Sequence, residues 1–193
     1  EQQDGLQGGR HHRRAAGGDV MASSRVSLSD RLTVQDAQAL EVVGSSLAAQ
    51  GDAAGGRDAL NRAARLLSAA ETSGALNVWL RARIEADLGE IDMDAGQPGQ
   101  AIGRFQNAAR IIRLRHAGTA AEGGLLLDLG RAQAAAGQED AALETYARAF
   151  QLFQEQRGAL GASADDAAPY FDLLLKRIKS DPGKADDYKA RFF

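Results

Sequence analysis

Apolar residues recur at steps of three and four along most of the chain, and the clearest run is 125–158, LLLDLGRAQAAAGQEDAALETYARAFQLFQEQRG. Its first part carries Leu126, Leu129, Gly130 and Ala134, and its second carries Ala142, Tyr146, Ala149, Phe150 and Phe153. Those spacings put each set on one face of a helix. Gly137 lies between them and takes a left-handed backbone conformation without strain, so it stops the first helix. The run predicts a helical hairpin whose small residues let its two helices approach closely.

The pattern occurs again upstream. Leu88, Gly89, Gly96, Ala101, Phe105 and Ala108 repeat Leu129, Gly130, Gly137, Ala142, Tyr146 and Ala149, each about 41 positions earlier, as from Gly130 back to Gly89. A looser copy precedes both. Val43-Gly44 matches Leu88-Gly89 and Gly51 matches Gly96, with 53–56 read as a small insertion and Ala63 standing where the later copies have an aromatic. The pattern therefore predicts an all-α chain with helical units at about 33–72, 75–117, 120–158 and 164–193, the last truncated or capping. Thr33 and Asn77 are the expected caps of the first helices of units one and two, and Ser163 or Asp165 that of unit four. Pro98 opens a helix where its missing N–H is not needed. Residues 180–183, Ser-Asp-Pro-Gly, close another. Trp79 is expected to pack on the preceding helix.

The steps from a bulky residue to Leu-Gly, then Gly, Ala, an aromatic and Ala, resemble the tetratricopeptide repeat. The residues carrying the resemblance are Leu126, Leu129, Gly130, Gly137, Ala142, Tyr146 and Ala149, and before them Leu88, Gly89, Gly96, Ala101, Phe105 and Ala108. Three positions depart from the family. Glu85 replaces a bulky residue, and Asp92 and Gln133 replace the aromatic after Leu-Gly. The spacing also exceeds the usual ~34 residues, so helices or links are longer than standard. The resemblance implies a right-handed superhelical solenoid of antiparallel helix pairs. It also implies a protein–protein interaction scaffold that holds a peptide or protein segment along the first helix of each repeat. On that alignment the inward positions include Glu41, Arg83, Asp87, Glu90, Asp128 and Arg131. The family's basic clamp for a C-terminal carboxylate is absent from these places. Carboxylates outnumber cations, so the expected partner segment is basic or polar, the chain's own arm being one candidate.

A second resemblance lies near the end of the chain. Tyr170-Phe171-Asp172-Leu173-Leu174, then Tyr188 and Arg191-Phe192-Phe193, are similar to segments that precede a caspase-like CHAT domain in bacterial repeat proteins. This implies the regulatory or sensing region of a larger protease, with the catalytic domain outside this sequence. The chain starts at Glu1 and ends on two Phe in a helical pattern, so the native protein is expected to continue.

Composition narrows the chemistry. The 193 residues are 44% hydrophobic but only 5% aromatic, which favours closely packed helices around alanine. A net charge of −3 argues against a general nucleic-acid binder. No cysteine is present, which excludes disulfides, thiolate catalysis and cysteine-based metal sites. No run reaches the ~18 apolar residues of a membrane span. The compartment is left open, and so is assembly of the chain into homo-oligomers.

Residues 1–29 are rich in Gly, Gln, Arg and Ser and read as a flexible arm. Its Arg10-His11-His12-Arg13-Arg14 run reads as a solvated basic cluster, because adjacent His on an arm lack metal geometry. Asp92-Met93-Asp94-Ala95-Gly96 has two oxygen donors in calcium-loop register. The twelfth position, where a bidentate Glu is needed, is Gly103. The helix opened by Pro98 carries Arg104, Arg110, Arg113 and Arg115 without an acidic residue, and with the Arg10–Arg14 cluster it is the basis of a third, nucleic-acid reading. No aromatic interleaves these arginines as a stacking surface would require. His116 is the one histidine outside the arm and is expected as a charged cap. No nucleophile–base pair or glycine phosphate cradle follows a strand, so the expectation is a chain without catalysis, cofactor or metal.

Overall fold

The structure is a computed structural model that describes residues 28–69, 75–155 and 164–192. The described residues are all-α, with no strand among them. The order is α1 (Leu28–Ala49), α2 (Ala53–Ala69), α3 (Ala75–Asp94), α4 (Pro98–His116), α5 (Ala120–Ala135), α6 (Glu139–Glu155), α7 (Ala164–Ser180), a 3₁₀ turn (Pro182–Lys184) and α8 (Ala185–Phe192). The most extensive packing is within α1/α2, α3/α4 and α5/α6, and α2 packs on α3 and α4 on α5. None of these helices is long and apolar enough to cross a membrane.

Three identical turns fold the chain back. Gly51, Gly96 and Gly137 have φ of 89°, 66° and 78°. Each glycine N–H donates to the carbonyl three residues back: Ala48 at 2.9 Å, Met93 at 2.9 Å and Ala134 at 3.0 Å. The next N–H reaches five back, from Asp52 to Leu47, Gln97 to Asp92 and Gln138 to Gln133. This pair of bonds satisfies the last carbonyls of α1, α3 and α5 with a left-handed residue that glycine alone adopts cheaply.

Inside each hairpin a second glycine sets the approach. A Cβ added at Gly44 would lie 2.7 Å from Leu60, at Gly89 2.8 Å from Phe105, and at Gly130 2.5 Å from Tyr146. Gly44 to Gly89 and Leu60 to Phe105 are both 45 positions, so the first hairpin keeps register without an insertion. Leu60, not Ala63, is the counterpart of Phe105 and Tyr146, and Ala63 falls in line with Ala108 and Ala149. Residues 53–56 are the first turn of α2. Asp52 holds that turn, accepting the Gly55 N–H at 2.9 Å on its carboxylate. Gly56 lies against α1, where its Cβ would meet the Gly44 carbonyl at 2.8 Å.

The core runs through all units. One cluster joins Leu60, Ala63 and Leu67 of α2 to Leu80, Ile84, Leu88 and Ile91 of α3, with Val34 and Ala37 of α1. The next joins Phe105 of α4 to Leu126 and Leu129 of α5 and Leu152 of α6. The last joins Leu143 and Tyr146 of α6 to Tyr170, Leu173 and Leu174 of α7, with Tyr188 of α8 beside them. Each cluster spans the second helix of one unit and the first helix of the next, the nearest-neighbour packing on which repeat proteins depend. Val43 shows the consequence at an end. It is 49% exposed, whereas its counterparts Leu88 and Leu129 are buried against the preceding unit.

Several local expectations shift. Thr33 lies inside α1 and Asn77 inside the first turn of α3, so neither is the expected cap. Trp79 makes a ring contact with His116 at the end of α4, at 5.4 Å. Pro98 begins α4, and α7 ends at Ser180, as the sequence indicates. The Arg10–Arg14 cluster, the 72–74 turn and Ser163 lie outside the described residues.

Candidate functional site

The six positions expected to face inward lie on α1, α3 and α5, the first helices of consecutive hairpins. Glu41 of α1 is fully buried, and its Oε1 accepts from Nη2 of Arg83 on α3 at 2.5 Å. Arg83 is 57% exposed, so this bond runs from the interior of the α1–α3 seam to its open edge. One turn on, Asp87 brings a second carboxyl up against that of Glu41. Further along, Arg131 of α5 donates to Glu90 of α3 at 2.5 Å and to Asp128 of its own helix at 2.9 Å. The result is one run of contacts from α1 across α3 to α5.

Two like charges this close and this buried disfavour each other, so a proton is held more tightly on Asp87. Burial is the main cause that pushes the Asp87 carboxyl up to about 7. The neighbouring Glu41 carboxyl adds to it, Arg83 opposes it, and Glu90 adds a little more. A carboxyl held above its unfolded value stabilises the fold fully below that unfolded value, and the contribution is lost as pH rises through about 7.

The site is built on the hairpin packing beneath it. Tyr146, 1% exposed under Gly130, has its phenol pushed up to about 12, chiefly by burial, with Arg131 lowering and Asp128 raising it.

Other charges point elsewhere. Asp92, 1% exposed, pairs with Arg57 of α2 at 2.8 Å and lies 3.9 Å from Arg104 of α4. It stands where the repeat pattern expects an aromatic, and it ties three helices together by charge. Glu85, in the place of a bulky residue, pairs with Arg104 at 3.1 Å. Arg113 pairs with Glu122 at 2.6 Å. Two of the four arginines of α4 are thus held by carboxylates, which shrinks the basic surface open to a nucleic acid to Arg110 and Arg115.

Glu122 had no place among the expected site residues. It is fully buried and accepts from Arg113 Nε and from the Gly118 N–H at 2.8 Å, while its own N–H donates to Thr119 Oγ1. The readable signal is Thr119-x-x-Glu122, a capping-box spacing at the start of α5. Among the described residues no group of three or more metal-ligating side chains stands close enough to hold an ion. Tyr170, Leu173 and Leu174, which carry the CHAT resemblance, are core residues of the last unit.

No protein-family model matches this chain, and no curated protein matches it.

Proposed function

We propose that the chain is a tetratricopeptide-like scaffold whose face of first helices, α1, α3 and α5, binds a protein segment carrying Lys or Arg. The observation that carries this reading is the run Glu41, Arg83, Asp87, Glu90, Arg131, Asp128. It strings four carboxyls and two guanidiniums along the first helices of successive hairpins. Repeated units align like positions into a continuous surface suited to an extended polypeptide. Surplus carboxyls favour cationic side chains by complementarity. The repeated Gly turns, the Gly–aromatic contacts and the unit-to-unit cores support the solenoid part of the reading.

The test is selection from a random peptide display library on the full chain. Lys and Arg should be enriched among the selected peptides. Reversing Glu90 and Asp128 together to Lys should weaken the selected peptides at least tenfold while the helices stay folded, since these charges are partly exposed and their pairs contribute only about 0–1 kcal/mol. Equal binding by the doubly reversed chain would remove this face as the site.

A further inference from the structure

Glu41 and Asp87 are held together across the α1–α3 seam with too few cations to balance them. Glu41 is fully buried, and Arg83 takes only its Oε1. The other oxygen, Oε2, and Asp87 Oδ2 are both buried, and neither has a hydrogen-bond donor among the described residues. The surrounding charges do not fill the deficit. From 33 to 49, α1 carries no Lys or Arg. On α3, Arg83 is the cation at the pair and Glu90 adds negative charge. On α5, Arg131 is committed to Glu90 and Asp128. The α2 and α4 cations that pair with α3, Arg57 and Arg104, go to Asp92 and Glu85. Two carboxyls thus face one guanidinium, and a single proton closes the balance.

We propose that a Lys or Arg side chain of a bound segment settles beside Glu41 and Asp87 in exchange for the proton that Asp87 carries, so that binding at this face strengthens as pH rises through neutrality. The inference rests on the polypeptide-binding reading above and adds its regulation. The step balances simply. The Asp87 O–H bond breaks, the proton passes to solvent, and the arriving cation takes over the charge that the proton had neutralised. Arg83 remains on Glu41 Oε1. Asp87 is half-buried and Arg83 is largely exposed, so a long side chain reaches the covered carboxyl oxygens from the Arg83 edge of the seam by displacing the side chains that cover them.

The probe is a twelve-residue peptide of alternating lysine and serine, titrated calorimetrically into the full chain between pH 6 and 8. Ionic strength is held constant, and two buffers of different ionisation enthalpy are used. Affinity should rise by roughly tenfold over that range, the limit for one linked proton being tenfold per pH unit. The buffer dependence should report release of a fraction of a proton near pH 7. Asp87→Asn should flatten the profile and abolish proton release with the helical circular dichroism intact, and Glu41→Gln should do the same. A flat profile in the unsubstituted chain, or a slope that survives Asp87→Asn, overturns the exchange while leaving the binding face in place. No binding at any pH, against peptides that the display selection does retain, overturns the exchange alone. No binding in either experiment removes the binding face as well.

Discussion

Gly130→Ala should lower stability by about 1–3 kcal/mol, a fall of roughly 5 °C in melting temperature for a chain of this size. The added methyl would sit 2.5 Å from the Tyr146 ring, and that ring is 1% exposed with no free side to move into. Alanine is the better helix former by about 1 kcal/mol, so the propensity gain works against the clash without cancelling it. Gly103→Ala is the matched control. Gly103 lies inside α4 with nothing within 4 Å of the added Cβ, and there the propensity gain acts alone. That substitution should raise the melting temperature by a few degrees. Placing Gly130→Ala in a Tyr146→Val background should remove most of its cost, because the smaller side chain leaves room for the methyl. Thermal unfolding followed by circular dichroism reads all four variants. A neutral Gly130→Ala would mean that α5 and α6 stand further apart than described.

Glu122→Ala is expected to cost about 2–3 kcal/mol. It deletes a buried carboxylate with two charge-assisted bonds, and it leaves Arg113 and the Gly118 N–H without that acceptor. The cost stays below that of a fully buried ion pair because Arg113 is 50% exposed and can turn to water. The pH dependence identifies the mechanism. Burial would raise the Glu122 carboxyl, but the Gly118 N–H, Arg113 and the more distant Arg148 outweigh burial and hold it below its usual value. A lowered folded value stabilises the fold above the unfolded one and is lost as pH falls through the folded one. The gap between Glu122→Ala and the unsubstituted chain should therefore be full near neutrality and should narrow in acid. Denaturant unfolding at pH 7 and pH 3.5 tests this, and a gap that does not shrink would assign the loss to packing alone.

The sequence made the second and third hairpins readable because their packing devices are also their most visible residues. Gly89 with Phe105, and Gly130 with Tyr146, are a glycine and an aromatic at one fixed step, and the step survives because the ring needs the missing Cβ. The first hairpin uses Leu60 in the ring's place, so the same device carries no aromatic signal. Residues 53–56, Ala-Ala-Gly-Gly, have the composition of a loop. They are helical because Asp52 caps them and because Gly56 must face the Gly44 backbone. That is tertiary packing overriding local propensity.

The site was legible in part for a related reason. Repeat register alone places Glu41, Asp87 and Asp128 on first helices, but register is silent on pairing. The bonds from Arg83 to Glu41 and from Arg131 to Glu90 join residues about 40 positions apart, and they depend on how neighbouring units settle. Buried charge was the least legible feature. Asp92 and Glu122 look like departures or surface residues in a one-dimensional pattern. Each is buried because an arginine from another helix reaches it.

The side-by-side placement of α1 and α3, on which the proposed repeat stack and the proposed binding face both rest, has a direct spectroscopic reporter. Carbon-detected NMR titration of the Asp87 side-chain carboxyl measures whether Glu41, 46 positions earlier in the chain, stands against it. The account predicts a midpoint at about 7, moving back toward ordinary carboxylate values in Glu41→Gln. A midpoint near 4 in the unsubstituted chain, the value of a solvated aspartate, would contradict it.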